Sequence, residues 1–196
     1  TTMTYEEVLD EVEKLSSYLT HELQVQPKDR VILLMQNAPQ YVIGFYAILR
    51  AKAVVVPVNP MNTTNELKFY IQDCESKIAI VGQELYQEIS PLLKETSLEN
   101  IVFAAYSDYH TSMEETLVPE VKSARMNFED KRAHLWKDIL QTNLPIQPFE
   151  GQSDDMAVIP YTSGTTGLPK GCVHTNRTVQ ANVVSAANWL NTTTDS

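Results

Sequence analysis

The chain of 196 residues is 43% hydrophobic and 20% charged, a balance that suits one packed domain and disfavours wholesale disorder. Its 15 basic and 25 acidic residues give a formal net charge of −10, which disfavours generic binding of nucleic acid or of an anionic membrane. The two cysteines lie far apart, which argues against a zinc site and a disulfide scaffold. The acidic N-terminus is unlike a signal peptide and no apolar run is long enough to span a bilayer, so we expect a soluble, cytoplasmic protein.

The first predicted element is an amphipathic helix from Thr4 to about Leu23. Thr4 and Glu7 fit a capping box, in which the two side chains satisfy backbone N–H groups of the first turn. Helical spacing places a set of apolar residues on one face of this helix, and they are Tyr5, Val8, Leu9, Val12, Leu15, Leu19 and Leu23. We expect this face to pack against the core.

Short apolar strands then alternate with helices. The predicted strands cover residues 31–35, 53–58, 77–82 and 100–105. Helices are predicted to begin after Asn37, after Thr63 (in a second capping box with Glu66) and at Gln83, the last of them ending at Leu93. This alternation predicts an α/β fold with a doubly wound, mostly parallel sheet flanked by helices.

The character of the sequence changes after residue 106, and we divide the chain into three segments. Residues 1–106 form the predicted sheet subdomain. Residues 107–150 are rich in charges and prolines and form a connecting excursion with a short helix around Glu129 to Leu140. Residues 151–196 contain a strand, a polar loop and a helix from Thr178 to Leu190, and we expect them to open an incomplete second subdomain.

The polar loop is "YTSGTTGLPKG", Tyr161 to Gly171, which follows an apolar run. It combines hydroxyl side chains, glycines and one lysine. These groups can hold phosphate through backbone N–H groups, neutral donors and a cation. We expect such a loop beyond the carboxyl ends of the strands, where open α/β sheets bind ligands. The alternative is a mobile surface loop with no ligand, and loop chemistry alone does not decide between the two.

Three familiar motifs do not fit this loop. The Walker A motif requires glycine at the position of Pro169 and Ser or Thr at the position of Gly171. The dinucleotide-binding pattern fails because no glycine stands at its middle position between Gly164 and Gly167. The G-x-S-x-G nucleophile elbow is also absent. The loop therefore belongs to a third kind.

The loop matches the signature [YT]-[TS]-S-G-[ST]-T-G-x-P-K-G at every position, and it resembles the loop of the adenylate-forming (ANL) superfamily. The stretch "DRVILLMQNAPQYVIGFYAILRAKAVVVPVNPMNTTNELKFYIQDCESKIAIV" is also similar to that family, and the resemblance covers almost the whole chain. "PVNP" and "GCVHTNRTV" favour its AMP-binding acyl-CoA synthetases of the long-chain fatty-acid–CoA ligase type.

This resemblance implies a full-length enzyme that activates a carboxylic acid, here a fatty acid, as an acyl-adenylate with ATP and Mg²⁺, and then transfers the acyl group to CoA. The implied ATP-binding residues are Thr162, Ser163, Gly164, Thr165, Thr166, Gly167 and Lys170. Lys170 would stabilise the charge on the leaving pyrophosphate, and Thr162 would be a Mg²⁺ ligand.

Two positions depart from the family pattern. Lys52 stands where glycine is usual, so we expect a different or strained turn there, and Asn176 stands where histidine is common. Because family members are much longer, we expect this chain to be the incomplete N-terminal part of the large domain, without the C-terminal lysine domain, and to be inactive alone. Surfaces left uncovered would then favour homodimers or other association.

Two other functions stay open at this point. One is part of an amino-acid-activating adenylation domain, whose specificity residues would lie downstream. The other is a stand-alone nucleotide-binding or interaction module without catalysis. The sequence that follows residue 196 would separate these alternatives from an acyl-CoA synthetase.

Overall fold

The computed structural model describes residues 2–110, 119–162 and 167–190. The helices are α1 (Tyr5–His21), α2 (Pro39–Arg50), α3 (Thr64–Asp73), α4 (Tyr86–Ile89), α5 (Pro119–Lys122), α6 (Trp136–Ile139) and α7 (Asn176–Leu190). The strands are β1 (Arg30–Leu34), β2 (Val54–Pro57), β3 (Ile78–Gly82), β4 (Asn100–Ala104), β5 (Ala133–Leu135), β6 (Met156–Val158), β7 (Tyr161–Thr162), β8 (Lys170–Gly171) and β9 (His174–Thr175). Within these ranges, no helix combines the length and the apolar character needed to cross a membrane.

The main sheet is mostly parallel, as predicted. Its described strands lie in the order β5-β4-β3-β1-β2-β6-β9. All neighbouring pairs are parallel except β6 and β9, which are antiparallel. The chain passes from β1 to β2 and then returns to place β3 on the other side of β1, so successive crossovers lie on opposite faces of the sheet. The doubly wound fold is therefore confirmed, with an antiparallel edge strand that was not predicted.

Both faces of the sheet are buried. Val31 and Leu33 of β1 pack with α1 and α2 on one face. Ile32 and Leu34 pack with α3 and α4 on the other face. Because side chains alternate along a strand, a strand covered on both sides must be apolar at every position. This explains the continuous apolar run from which β1 was predicted.

The start of α1 differs from its prediction. The capping box of Thr4 and Glu7 is present, and so is that of Thr63 and Glu66. Tyr5 and Leu9, however, are 97% and 51% exposed. They line an open groove between α1, α2 and α7, so in the first two turns only Val8 of the predicted face packs against the core, and the buried residues begin with Val12.

The predicted helix at 129–140 is wrong in its first half. Ala133–Leu135 form β5, which pairs in parallel with β4, and only Trp136–Ile139 are helical. The Ile101 N–H group donates to the Arg132 carbonyl at 2.8 Å. Residues 133–135 therefore form a strand and not a helix, because pairing with the edge of β4 satisfies backbone N–H and C=O groups that would otherwise lack hydrogen-bond partners.

The predicted helix from Gln83 to Leu93 is present only in pieces. A 3₁₀ turn at Gln83–Leu85 leads into α4, and a second 3₁₀ turn covers Ser90–Leu93. Pro91 stands in this second turn. Because proline has no N–H group for an intrahelical bond, the α-helix ends before it.

Candidate functional site

The polar loop is closed at its base by a short antiparallel ribbon. Tyr161 pairs with Gly171 and Thr162 pairs with Lys170, which makes β7 and β8 a two-stranded sheet. Cross-strand partners share one face of such a ribbon. The Thr162 hydroxyl and the Lys170 ammonium group are therefore brought to the same side.

Of the seven predicted site residues, Thr162, Gly167 and Lys170 lie within the described residues. Ser163, Gly164, Thr165 and Thr166 lie outside them. The ribbon was not predicted from the sequence, because its strands have only two residues each.

The base of the loop lies away from the carboxyl ends of β1 and β3, and the central loop residues, 163–166, lie outside the described residues. Val158, the last residue of β6, pairs with Val55, only the second residue of β2. The chain then turns toward the amino-terminal ends of β1 and β3. There the Tyr161 hydroxyl donates to Asp73 Oδ2 at 2.5 Å, at the last residue of α3. The register of β6 is thus the reason for the displacement.

Tyr161 anchors the loop to α3. Its ring packs edge-on against Tyr70, with ring centroids 4.8 Å apart, and against Phe69 at 6.4 Å. Burial and the hydrogen bond to Asp73 raise the pKa of the Tyr161 hydroxyl above its usual range. The hydroxyl therefore stays protonated and remains a donor at neutral pH.

Gly171 completes this anchor because a side chain would not fit there. An added Cβ would lie 2.7 Å from Ile159 Cγ2 and 3.3 Å from Tyr161 Cζ. The next N–H group, that of Cys172, donates to the Pro160 carbonyl at 2.9 Å. Both ends of the loop are therefore fixed by packing and hydrogen bonds.

Lys170 and Gly167 have no evident structural role in the part of the chain that the structure describes. Lys170 is exposed, and no hydrogen bond or ion pair joins its ammonium group to another described residue. Arg177 nearby in sequence, in contrast, pairs with Asp154 at 2.8 Å. An added Cβ on Gly167 would meet no described atom within 4 Å. A free cation beside a glycine that packing does not require suits an anionic ligand.

Asn176, one of the departures from the family pattern, has a structural role. Its side-chain amide donates to the Gln152 carbonyl at 2.9 Å, and its backbone N–H group donates to the Asp155 carbonyl at 3.0 Å. Thr175 and Thr178 exchange hydrogen bonds at the same helix start. Asn176 thus joins the beginning of α7 to the segment that precedes β6.

Sequence reasoning missed a polar crevice of about 740 Å³ at the carboxyl ends of β1, β3 and β4. Tyr106 is central to it: its hydroxyl donates to Glu84 Oε1 at 2.6 Å and accepts from the Gln36 N–H group at 2.9 Å. Gln40 is fully buried beside it. The available signal was a pair of polar residues: Gln36, just after the buried strand β1, and Gln40, in the first turn of α2.

Fold and loop together define the class: an α/β protein with a glycine- and hydroxyl-rich loop whose chemistry suits an anionic ligand. The chain matches the family model of AMP-binding enzymes over residues 1–196, and it belongs to that family. Within it, the chain is similar to acyl-CoA ligases.

The similar proteins are longer than this chain. The long-chain-fatty-acid–CoA ligase of Bacillus subtilis (strain 168) is 29% identical over an alignment of 194 residues, and the match covers 96% of this chain and 34% of that protein. The crystal structure of a long-chain-fatty-acid-CoA ligase (FadD1) from Archaeoglobus fulgidus gives a TM-score of 0.73 at 26% identity, over 94% of this chain and 32% of that one. Apo MatB from Rhodopseudomonas palustris, at a TM-score of 0.75 and 20% identity over 98% of this chain and 33% of that one, supports the fold alone. The chain thus spans about a third of the length of the curated relatives it matches.

Proposed function

We propose that this chain is part of an ATP-dependent acyl-CoA synthetase of the fatty-acid–CoA ligase type, and that the loop 161–171 holds the phosphates of ATP. The observation that carries the proposal is the pairing of Lys170 with Thr162 on an anchored ribbon, where the Lys170 ammonium group has no hydrogen bond or ion pair to another described residue. A cation on an anchored base, without a partner in the described ranges, suits a polyanion.

Each loop residue then has a chemical role. The hydroxyl groups of Thr162, Ser163, Thr165 and Thr166 would donate hydrogen bonds to phosphate oxygens. The glycines, Gly164 and Gly167, would leave room for close approach of the backbone. Lys170 would offset the negative charge that grows on the pyrophosphate leaving group. This interaction would accelerate the reaction only to the extent that it is stronger in the transition state than in the bound ground state.

Mg²⁺ would be bound mainly by phosphate oxygens of ATP. The described ranges contain no group of three His, Cys, Asp or Glu residues that could hold a metal ion. The Thr162 hydroxyl is the ligand we assign from this chain. When bound, ATP supplies the adenylyl group that activates the carboxylic acid, and CoA supplies the acceptor thiol.

The acid is proposed to be a fatty acid, because the similar curated ligases are named for long-chain fatty acids. We further propose that residues 151–196 open a second subdomain that is completed by sequence outside this chain. Residues 1–196 alone are then expected to lack turnover, because they correspond to about a third of each relative.

Isothermal titration with MgATP tests the loop assignment on the chain as it exists. Lys170→Ala is expected to weaken binding by about tenfold to a hundredfold, as is typical for loss of a charge-assisted hydrogen bond. Lys131→Ala is the matched control, since Lys131 is also exposed but lies outside the loop. Equal affinities for wild type and Lys170→Ala, or no MgATP binding by the wild-type chain, would contradict the assignment. Turnover of residues 1–196 in a pyrophosphate-exchange assay would contradict the expected lack of activity.

A further inference from the structure

The polar crevice lies at the topological switch point of the sheet. From β1 the chain turns to one side toward β2, and β3 lies on the other side of β1. Connections that leave in opposite directions open a crevice at the carboxyl ends of such strands, and open α/β sheets bind ligands there. The lining comes from the segments 36–40, 84–85, 106–110 and 120–121. None of the described residues of the loop, 161–162 and 167–171, lines it.

The wall of this crevice holds acceptor oxygens that lack donors. Gln40 is 0% exposed; its Nε2 donates to the Ala105 carbonyl at 2.8 Å, and its Oε1 has no partner among the described residues. Glu84 uses Oε1 to accept from Tyr106, and its Oε2 has no partner in the same ranges. His110 Nε2 is a third buried atom without a partner in the part of the chain that the structure describes. Buried polar atoms are normally paired, so three such atoms in residues that line one crevice call for an explanation.

The charge of the lining has one sign. Glu84 and Glu120 both line the crevice, and no Lys or Arg does so within the described residues. Burial raises the pKa of the Glu84 carboxyl, and the charge of Glu120 adds to this effect, while the hydrogen bond from Tyr106 opposes it. A cation with N–H groups placed here would therefore supply the missing hydrogen-bond donor and balance the negative charge.

The missing group is better explained by an organic cation than by a metal ion. The described residues offer no group of three His, Cys, Asp or Glu side chains for a metal. A primary ammonium group carries three N–H donors, which suits the free oxygens of Gln40 and Glu84. The rings of Tyr106 and Tyr109 also line the crevice and can attract a cation through their faces.

We propose that this crevice binds a small molecule that bears a primary ammonium group, with Gln40 Oε1 and Glu84 Oε2 as its acceptors. Entry requires rotation of the Glu84 side chain, because the free oxygens are covered by their neighbours. Glu84 is only half-buried, which leaves it room to rotate. The Glu84 carboxylate lies close to Gly82, since a Cβ added there would be 2.5 Å from both of its oxygens. The proposal is independent of the phosphate loop.

Amide-resolved NMR titration of the chain with three probes tests this assignment. Propylammonium carries charge and N–H donors, tetramethylammonium carries charge without donors, and propanol carries only the alkyl chain. We expect saturable shifts of the amides of Gln36, Gln40 and Tyr106 with propylammonium alone, with an affinity in about the millimolar range. Equal shifts with tetramethylammonium would show only a general attraction of cations to an acidic protein, which would contradict the proposal. The absence of saturable shifts with propylammonium would also contradict it.

The variant Glu84→Gln tests the role of the carboxylate. The glutamine amide oxygen can still accept from Tyr106, while the amide nitrogen replaces the free acceptor with a donor. We expect propylammonium affinity to fall by at least about tenfold, the loss typical of a charged hydrogen bond. Glu129→Gln removes the same charge at an exposed site outside the crevice and should leave binding unchanged. Unchanged binding by Glu84→Gln would refute the assignment. The probe series on the wild-type chain decides the question if this variant does not fold.

Discussion

Lys52 has a left-handed backbone conformation, with φ of 58°. It follows the end of α2, where its N–H group donates to the Leu49 carbonyl at 2.9 Å and the Ala53 N–H group donates to the Ile48 carbonyl at 3.1 Å. This pair of bonds is a Schellman motif, in which glycine is usual at the left-handed position. The tight turn expected from the family pattern is therefore kept, and the lysine side chain makes it strained.

Lys52→Gly is expected to raise the free energy of unfolding by about 0.5–1 kcal/mol, because the left-handed strain of an L-residue exceeds the added flexibility of glycine. Loss of the exposed Lys52–Glu150 pair, at 3.5 Å, should matter little. Lys52→Ala is the control, since it removes the pair and keeps the strain. Urea unfolding measures both variants, and a glycine variant no more stable than the alanine variant would show that the turn is not strained.

His134 joins three elements as a neutral ring. The Tyr18 hydroxyl lies 3.0 Å from Nδ1, and Nε2 lies 2.9 Å from Asn100 Oδ1. Burial lowers the pKa of His134 below its ordinary value of 6.5. Because the unfolded chain then binds the proton more readily, this residue should reduce stability as the pH falls through about 6.5.

The prediction for His134 is a difference between two pH profiles. Thermal unfolding of the wild type and of His134→Gln should be compared from neutral pH to about pH 5.5, within the range where histidine titrates. The wild type is expected to lose more stability than the variant over this range. The comparison cancels the contributions to the pH dependence from groups that both proteins share, such as Glu11 and Glu84, whose pKa values are raised. Parallel profiles would mean that His134 does not titrate differently on folding.

At the scale of elements, two of the three glycines of the loop, Gly167 and Gly171, make a matched pair. Gly171→Ala should lower the free energy of unfolding by about 1–3 kcal/mol, because its Cβ would lie 2.7 Å from Ile159 Cγ2 in a packed anchor. Gly167→Ala should change stability by less than about 0.5 kcal/mol, as expected where nothing is packed, and should weaken MgATP binding. Denaturant unfolding and titration calorimetry measure the pair. Equal stability of the two variants would argue against the anchor.

Elements with a local signal were predictable from the sequence. The capping boxes at Thr4 and Thr63 and the apolar run of β1 each depend on residues close together in the chain. β5 was not predictable, because Ala133–Leu135 become a strand only beside the free edge of β4. Tertiary pairing decided its conformation, not propensity.

The loop shows the same limit. Its residue types predict phosphate binding, which stays a prediction, whereas the position of its base depends on the register of β6 and on the contact of Tyr161 with α3. The crevice at the switch point was missed because its residues come from four separate segments. Only the fold brings Gln40 and Glu84 into the lining of one crevice.

At the scale of the whole molecule, α7 leaves an apolar surface exposed. Val183, Val184 and Leu190 are exposed on this helix, and Trp189 is 84% exposed. Exposed apolar patches on a monomer favour association. Since the chain spans about a third of its curated relatives, we propose that in residues 1–196 alone this surface is covered by the α7 of a second copy.

Sedimentation velocity over a wide concentration range tests this association. The wild-type chain is expected to form dimers as concentration rises, and Trp189→Ser should weaken dimerisation by at least about tenfold, because large aromatic residues dominate such interfaces. Met61→Ser is the matched control, since Met61 is 83% exposed but lies outside α7. A wild-type chain that stays monomeric at high concentration would contradict the proposal. Equal dimerisation of both variants would place the interface elsewhere, because only Trp189→Ser alters the α7 surface.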